Sequence, residues 1–166
     1  GLADKSDDRT VAIVYVSYLE KYLGEVLKRA LPGLNSELRR NLFEPGELLG
    51  AFIDRAHIAR GLGLLDADGH ADYKLLASIR NKFAHNIPVD SFDNPEIAER
   101  IAKLRLRPST PESVKRFFEY LAERLNLKPN PPAKPWVFDN QTNGEKFRIV
   151  CTAYVSRLYF RLEAGD

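Results

Sequence analysis

Within six consecutive positions this chain sets an arginine, an amide and an imidazole, in the run Ile79-Arg80-Asn81-Lys82-Phe83-Ala84-His85. Arginine neutralises phosphate oxygens, histidine carries a proton near neutral pH, and asparagine can orient either group. Arg80, Asn81 and His85 could therefore bind and cleave a phosphodiester without a metal. RNA would be the substrate for attack by a ribose 2′-hydroxyl, a nucleophile that DNA lacks. The same residues also have an architectural reading. Arg80 would pair with a carboxylate such as Asp54 on the preceding helix, while His85 and Asn86 finish their own helix with favourable C-terminal polarity.

These residues need a helix to hold them, and the pattern supplies one that begins near Ala71, after a turn at Asp68-Gly69. Leu76, Ile79 and Phe83 form its apolar stripe. The helical step gathers Lys74, Ser78, Asn81 and His85 on another side. Arg80 falls beside the stripe, about 140° around the axis from His85. A charge in that position requires a partner, because burying it unpaired is costly.

Other elements are expected around this helix. Ser6 is placed to cap a first helix reaching to about Leu31, with Asp7 and Asp8 in its first turn. Val11, Val14 and Tyr18 give that helix a second apolar face, which predicts that it is central or covered by a partner subunit. A short polar helix over 36–41 and another from Glu47 to Arg60 follow, the latter stopped by Gly61 and Gly63. Gly61-Leu62-Gly63-Leu64-Leu65 lacks the lysine of a phosphate loop and reads as a tight, buried turn.

Beyond the motif, Asn94-Pro95 opens a helix with Ile97, Ile101 and Leu104 inward, and Thr110-Pro111 opens another. Four prolines between Leu127 and Asn140 make a connector at 128–141, with Trp136, Val137 and Phe138 pinning it to the bundle. Thr142 and Glu145 have the spacing of a capping box, and a last helix runs to about Glu163.

Other chemistries find little support. His57, His70 and His85 lack paired ligand spacing, so no metal or cofactor is expected. Cys151, the single cysteine, lies among Phe147, Val150 and Tyr154 and reads as core. No nucleophile elbow or serine-centred triad is visible. The basic residues Arg100, Lys103, Arg105 and Arg107 could contact phosphates, but interleaved Glu96 and Glu99 favour a solvated face.

A net charge of +2 rules out a global basic field of the kind that drives non-specific nucleic-acid binding. Direct DNA binding also lacks a recognition-helix signature. With 44% hydrophobic and 29% charged residues, the 166-residue chain has the composition of a folded soluble domain. No leader-like segment or membrane-spanning apolar run is apparent, and the lone cysteine suits a reducing cytoplasm.

Three separated segments also resemble a known family. Asp8-Arg9-Thr10-Val11-Ala12-Ile13-Val14, the segment from Phe52 to Leu64, and Ile79 to His85 followed by Ser91-Phe92-Asp93 are similar to the mannitol operon repressor family, within the HEPN group of helical bundles. Arg80, Asn81 and His85 match the arginine, polar residue and histidine of the HEPN signature. The resemblance spans about Asp8 to Leu106. It implies an all-helical, often dimeric domain in which two motif helices approach each other. Active HEPN ribonucleases cut RNA without metal through paired arginines and histidines, whereas other members are non-catalytic regulatory or binding domains. The insert from about 107 to 141 departs from the family pattern.

The resulting expectation is an all-α, single-domain bundle of about six or seven helices with an HEPN-like up-down core, spanning 6–163, with 1–5 as a flexible segment. Its expected role is a cytoplasmic regulatory domain, homodimeric and acting in transcriptional regulation through a protein partner. The alternative is a metal-independent endoribonuclease using Arg80, Asn81 and His85.

Overall fold

The first helix, α1, covers Asp8–Ala30 and is capped by the Asp7 carboxylate, which accepts from the Arg9 amide at 3.2 Å. The cap is thus one residue later than Ser6, because the Asp7 side chain itself satisfies an orphan amide of the first turn. The computed structural model describes residues 7–107 and 137–164. Ser6, the expected helix at 111–127 and most of the proline-rich connector, including Trp136, lie outside them.

Asn35 caps α2, Ser36–Phe43, by accepting from the Leu38 amide at 2.8 Å. α3 covers Phe52–Gly61, starting five residues after the expected Glu47. The intervening backbone is committed elsewhere: the Leu49 amide donates to the Leu42 carbonyl, and the Leu49 carbonyl accepts from Arg55 Nε at 2.6 Å. At Gly50 an added Cβ would lie 2.4 Å from the Glu44 carbonyl oxygen, so only glycine fits this turn.

The end of α3 answers to its glycine. Gly63 has φ +73°, its amide donates to the Arg60 carbonyl, and the Leu64 amide donates to the Ala59 carbonyl. That pair of bonds satisfies two final carbonyls of the helix through one left-handed residue. Leu65 is buried, but Gly61 to Gly63 are exposed, so the turn is less enclosed than its apolar sequence suggests.

α4 covers Ala67–His85 and starts before the expected Ala71. Asp66 caps it through the Gly69 amide at 2.6 Å, which draws Asp68 and Gly69 into the first turn. Asn94 caps α5, Pro95–Ala102, with Pro95 at its start. α6 covers Asn143–Ala164, and its capping box forms as expected, with Glu145 Oε2 accepting from the Thr142 amide at 2.8 Å.

These six α-helices, with a short 3₁₀ turn at Phe138–Asn140 and no strand among the described residues, form a helical bundle. α1 is its centre: it packs most extensively on α6, next on α4, and also on α3. Tyr22 meets the edge of Tyr159 and Arg29 donates to the Leu162 carbonyl, so the C-terminal halves of α1 and α6 lie side by side. The stripe residues Leu76, Ile79 and Phe83 are fully buried, as the periodicity requires. Phe83, Phe92 and Phe147 form one aromatic chain through the core; Phe52, Tyr73 and Tyr154 form another. Cys151 is buried, and burial pushes its thiol up. No helix among the described residues is long and apolar enough to cross a membrane.

One buried charge fixes the chain after α5. Asp72, 0% exposed, accepts from the Arg105 amide at 2.7 Å, the Leu106 amide at 2.9 Å and Tyr154 Oη at 2.7 Å. Three donors offset the cost of removing the carboxylate from water. Burial, then the Asp72 hydrogen bond and charge, holds the Tyr154 hydroxyl well above its ordinary range.

Candidate functional site

The C-terminal turn of α4 and the loop after it are held by two residues of the first turn of α1. Arg9 donates through Nη1 to the Phe83 carbonyl and through Nη2 to the carbonyls of Ile87 at 3.1 Å and Val89 at 3.0 Å, with Asn86 at 3.4 Å. Asp8 accepts from the Phe92 amide at 3.0 Å. A forked cation suits this cluster of carbonyls, since it both satisfies them and opposes the negative end of the helix. Together Asp8 and Arg9 fix the turn that carries His85 and the loop that follows it.

Arg80 is held by α1, but by Glu20 rather than Asp54. Nη1 lies 3.0 Å from Glu20 Oε2, with the two side chains 25% and 24% exposed. Nε and Nη2 make long contacts, at 3.4 and 3.3 Å, to Asn81 Oδ1. Each guanidinium nitrogen thus has one acceptor within this chain, while the side chain stays one-quarter exposed. Glu20 follows Leu19 and lies at the margin of the buried stripe of α1, so an edge carboxylate was available; sequence spacing alone did not say which helix α4 would meet there.

Asn81 and His85 come together in a different place. They line an open cleft of about 640 Å³ on the outer side of α4, together with Lys74, Ser78 and Lys82 of the same helix. Ile53 and Ala77 give it an apolar portion, and Asn86 ends it. Lys74, Ser78, Asn81 and His85 are the residues that the helical step gathers on one side. Arg80 is absent from the lining and makes no hydrogen bond to His85. Within one chain the fold assembles two members of the triad and diverts the third.

A family-model scan, a search of curated proteins and a search of solved structures each return no match.

The basic residues of α5 and its exit are all engaged. Arg100 Nε donates to Ser78 Oγ at 3.0 Å and Nη1 lies 3.8 Å from Glu96. Lys103 pairs with Glu99 at 2.6 Å, Arg105 with Asp68, and Arg107 with Asp139 at 3.8 Å while its guanidinium lies over the Phe138 ring. Hydrogen bonding to Lys82 and Lys103 holds the Glu96 and Glu99 carboxyls below their ordinary values. The interleaved Glu96 and Glu99 thus engage Arg100 and Lys103, whereas Arg105 and Arg107 meet Asp68 and Asp139 of other elements.

Two histidines without sequence pairing do meet. His57 Nδ1 of α3 lies 2.9 Å from His70 Nε2 of α4. Partial burial, then the charges of His57, Lys74 and Arg60, holds the His70 imidazole below its ordinary value. Among the described residues no group of three or more His, Cys, Asp or Glu is arranged to hold a metal.

Proposed function

We propose that this chain is a regulatory domain of the mannitol operon repressor kind, with an HEPN-like core, working as a homodimer in the cytoplasm and acting on transcription through protein contacts. The observation that carries the reading is on α1. One side of this central helix is fully buried, yet Val14 is 42% and Tyr18 50% exposed, one turn apart. An apolar pair on the helix that organises the fold suits a second copy better than water. The Glu20–Arg80 pair supports the non-catalytic form of the reading, because it occupies the arginine that would neutralise a phosphate.

Sedimentation analysis tests the proposal directly. The unsubstituted chain should sediment as a dimer, and V14D/Y18D should sediment as a monomer with unchanged helical content. A monomeric unsubstituted chain would overturn the homodimer.

The ribonuclease reading keeps one specific support: Asn81 and His85 do share an open cleft. It requires Arg80 to leave Glu20, or a second copy to bring its own arginine. Cutting of RNA in the presence of chelator, abolished by both Arg80→Ala and His85→Ala, would establish it in place of the regulatory reading.

A further inference from the structure

We propose that His57 of α3 and His70 of α4 together bind a divalent transition-metal ion of the nickel or copper kind, which clips the two helices together. This goes beyond the regulatory reading and depends neither on dimerisation nor on Arg80, Asn81 or His85.

The two imidazoles already stand at ligand spacing. His57 Nδ1 and His70 Nε2 lie 2.9 Å apart, with the rings tilted by 58° and their centroids 5.0 Å apart. Metal–nitrogen bonds of about 2.0–2.1 Å set at right angles bring two nitrogens to about 2.9 Å, whereas a tetrahedral site spreads them to about 3.3 Å. The separation therefore suits a tetragonal or octahedral ion better than tetrahedral zinc. A neutral pair holds one proton in this contact, on one of the two facing nitrogens. When the ion enters, that proton moves to the far nitrogen of the same ring, and both facing lone pairs become ligands. His57 is exposed, so its ring can turn to aim its lone pair at the ion, while His70 is half-buried.

The packing of α3 on α4 explains why these two meet. Ile53, one turn before His57, and Lys74, one turn after His70, line the same cleft, so the seam keeps one register from 53 and 74 to 57 and 70. An ion held there closes a loop between residues 13 apart and fixes how α3 lies on α4.

The surroundings select the ion. Imidazole nitrogen suits nickel and copper, whereas magnesium and calcium require oxygen ligands. Among the described residues no third His, Cys, Asp or Glu joins the pair, and Arg60 and Lys74 bring positive charge to His70. Water therefore fills the remaining positions, and the ion exchanges with solvent.

Calorimetric titration of the full chain, without a histidine tag, with nickel chloride tests the site, and amide NMR locates it by paramagnetic broadening. One ion should bind per chain with a Kd below about 0.1 mM, and broadening should centre on His57 and His70. Magnesium chloride should give neither heat nor broadening. His57→Gln and His70→Gln should each weaken nickel binding at least about tenfold, because a single imidazole loses the chelate. His85→Gln should bind within about twofold, since its imidazole lies about 22 Å along α4 from His70. At a hundredfold excess over Kd, nickel should raise the melting temperature by roughly 5 °C, and by less in either variant of the pair. Weaker binding by the unsubstituted chain, indifference to His57→Gln or His70→Gln, broadening centred on His85, or an unchanged melting temperature would overturn the clip.

Discussion

Arg80 of α4 and Glu20 of α1 form a 3.0 Å ion pair that joins the two helices, each side chain about one-quarter exposed. In a double-mutant cycle of Glu20→Ala and Arg80→Ala, the coupling should be about 0.5–1 kcal/mol, because partial exposure screens the pair. Urea unfolding measures it, and the coupling should shrink in high salt. Zero coupling at low salt would mean that the contact contributes nothing to holding α1 on α4.

Asp72 should be far more sensitive. Asp72→Ala leaves the Arg105 and Leu106 amides and Tyr154 Oη without their shared acceptor. A loss of about 3 kcal/mol or more is expected in urea unfolding, against about 1–2 kcal/mol for Tyr154→Phe, which leaves the two amide bonds in place. Near-equal losses would show that the hydroxyl, and not the backbone of 105–106, is the main partner.

Arg9→Ala should remove the clamp on the end of α4 and cost about 1–3 kcal/mol, the range for bonds to a charged donor. Arg9→Lys should recover only part of this, because an ammonium lacks the fork that spans Phe83, Ile87 and Val89. Hydrogen exchange should accelerate first at the amides of Asn86 and Val89, which close this turn. Uniform acceleration across α4 would instead mean that the whole helix depends on Arg9.

The His57 and His70 pair predicts the sign of one pH dependence. His70 in the folded protein lies below its ordinary value of 6.5, so the unfolded chain binds the proton more readily. The folded state is therefore favoured above that ordinary value, and the advantage is lost as pH falls through it and on through the lowered folded value. His70→Gln should flatten the fall in urea midpoint on that acidic side. An unchanged slope in the variant would assign the acid sensitivity to other groups.

Gly63→Ala should destabilise by about 1 kcal/mol, because φ is +73° there and nothing crowds the added methyl. Gly61→Ala, at an ordinary backbone angle with open space, should be neutral or slightly stabilising. Equal effects at both positions would contradict the role of the left-handed turn.

By itself the sequence determined that the fold is helical and which face of α1, α4, α5 and α6 packs inward. The periodicity of Leu76, Ile79 and Phe83, the capping box at Thr142 and Glu145, and the Asn94-Pro95 start are local patterns, and local hydrogen bonding and apolar burial enforce them. The same helical step gathered Lys74, Ser78, Asn81 and His85 on the side where the cleft lies. Only the tertiary structure decided which residues meet across helices. Helical spacing says that Arg80 needs a carboxylate but cannot distinguish Asp54 from Glu20, and it gives no sign that His57 meets His70 or that Arg9 closes the far end of α4. It also could not say that Asp72, one turn before Leu76 on the core stripe, would find its donors 33, 34 and 82 residues away. Those choices depend on how six helices pack around α1, because a polar side chain's partner is set by the neighbouring helix and not by its own period.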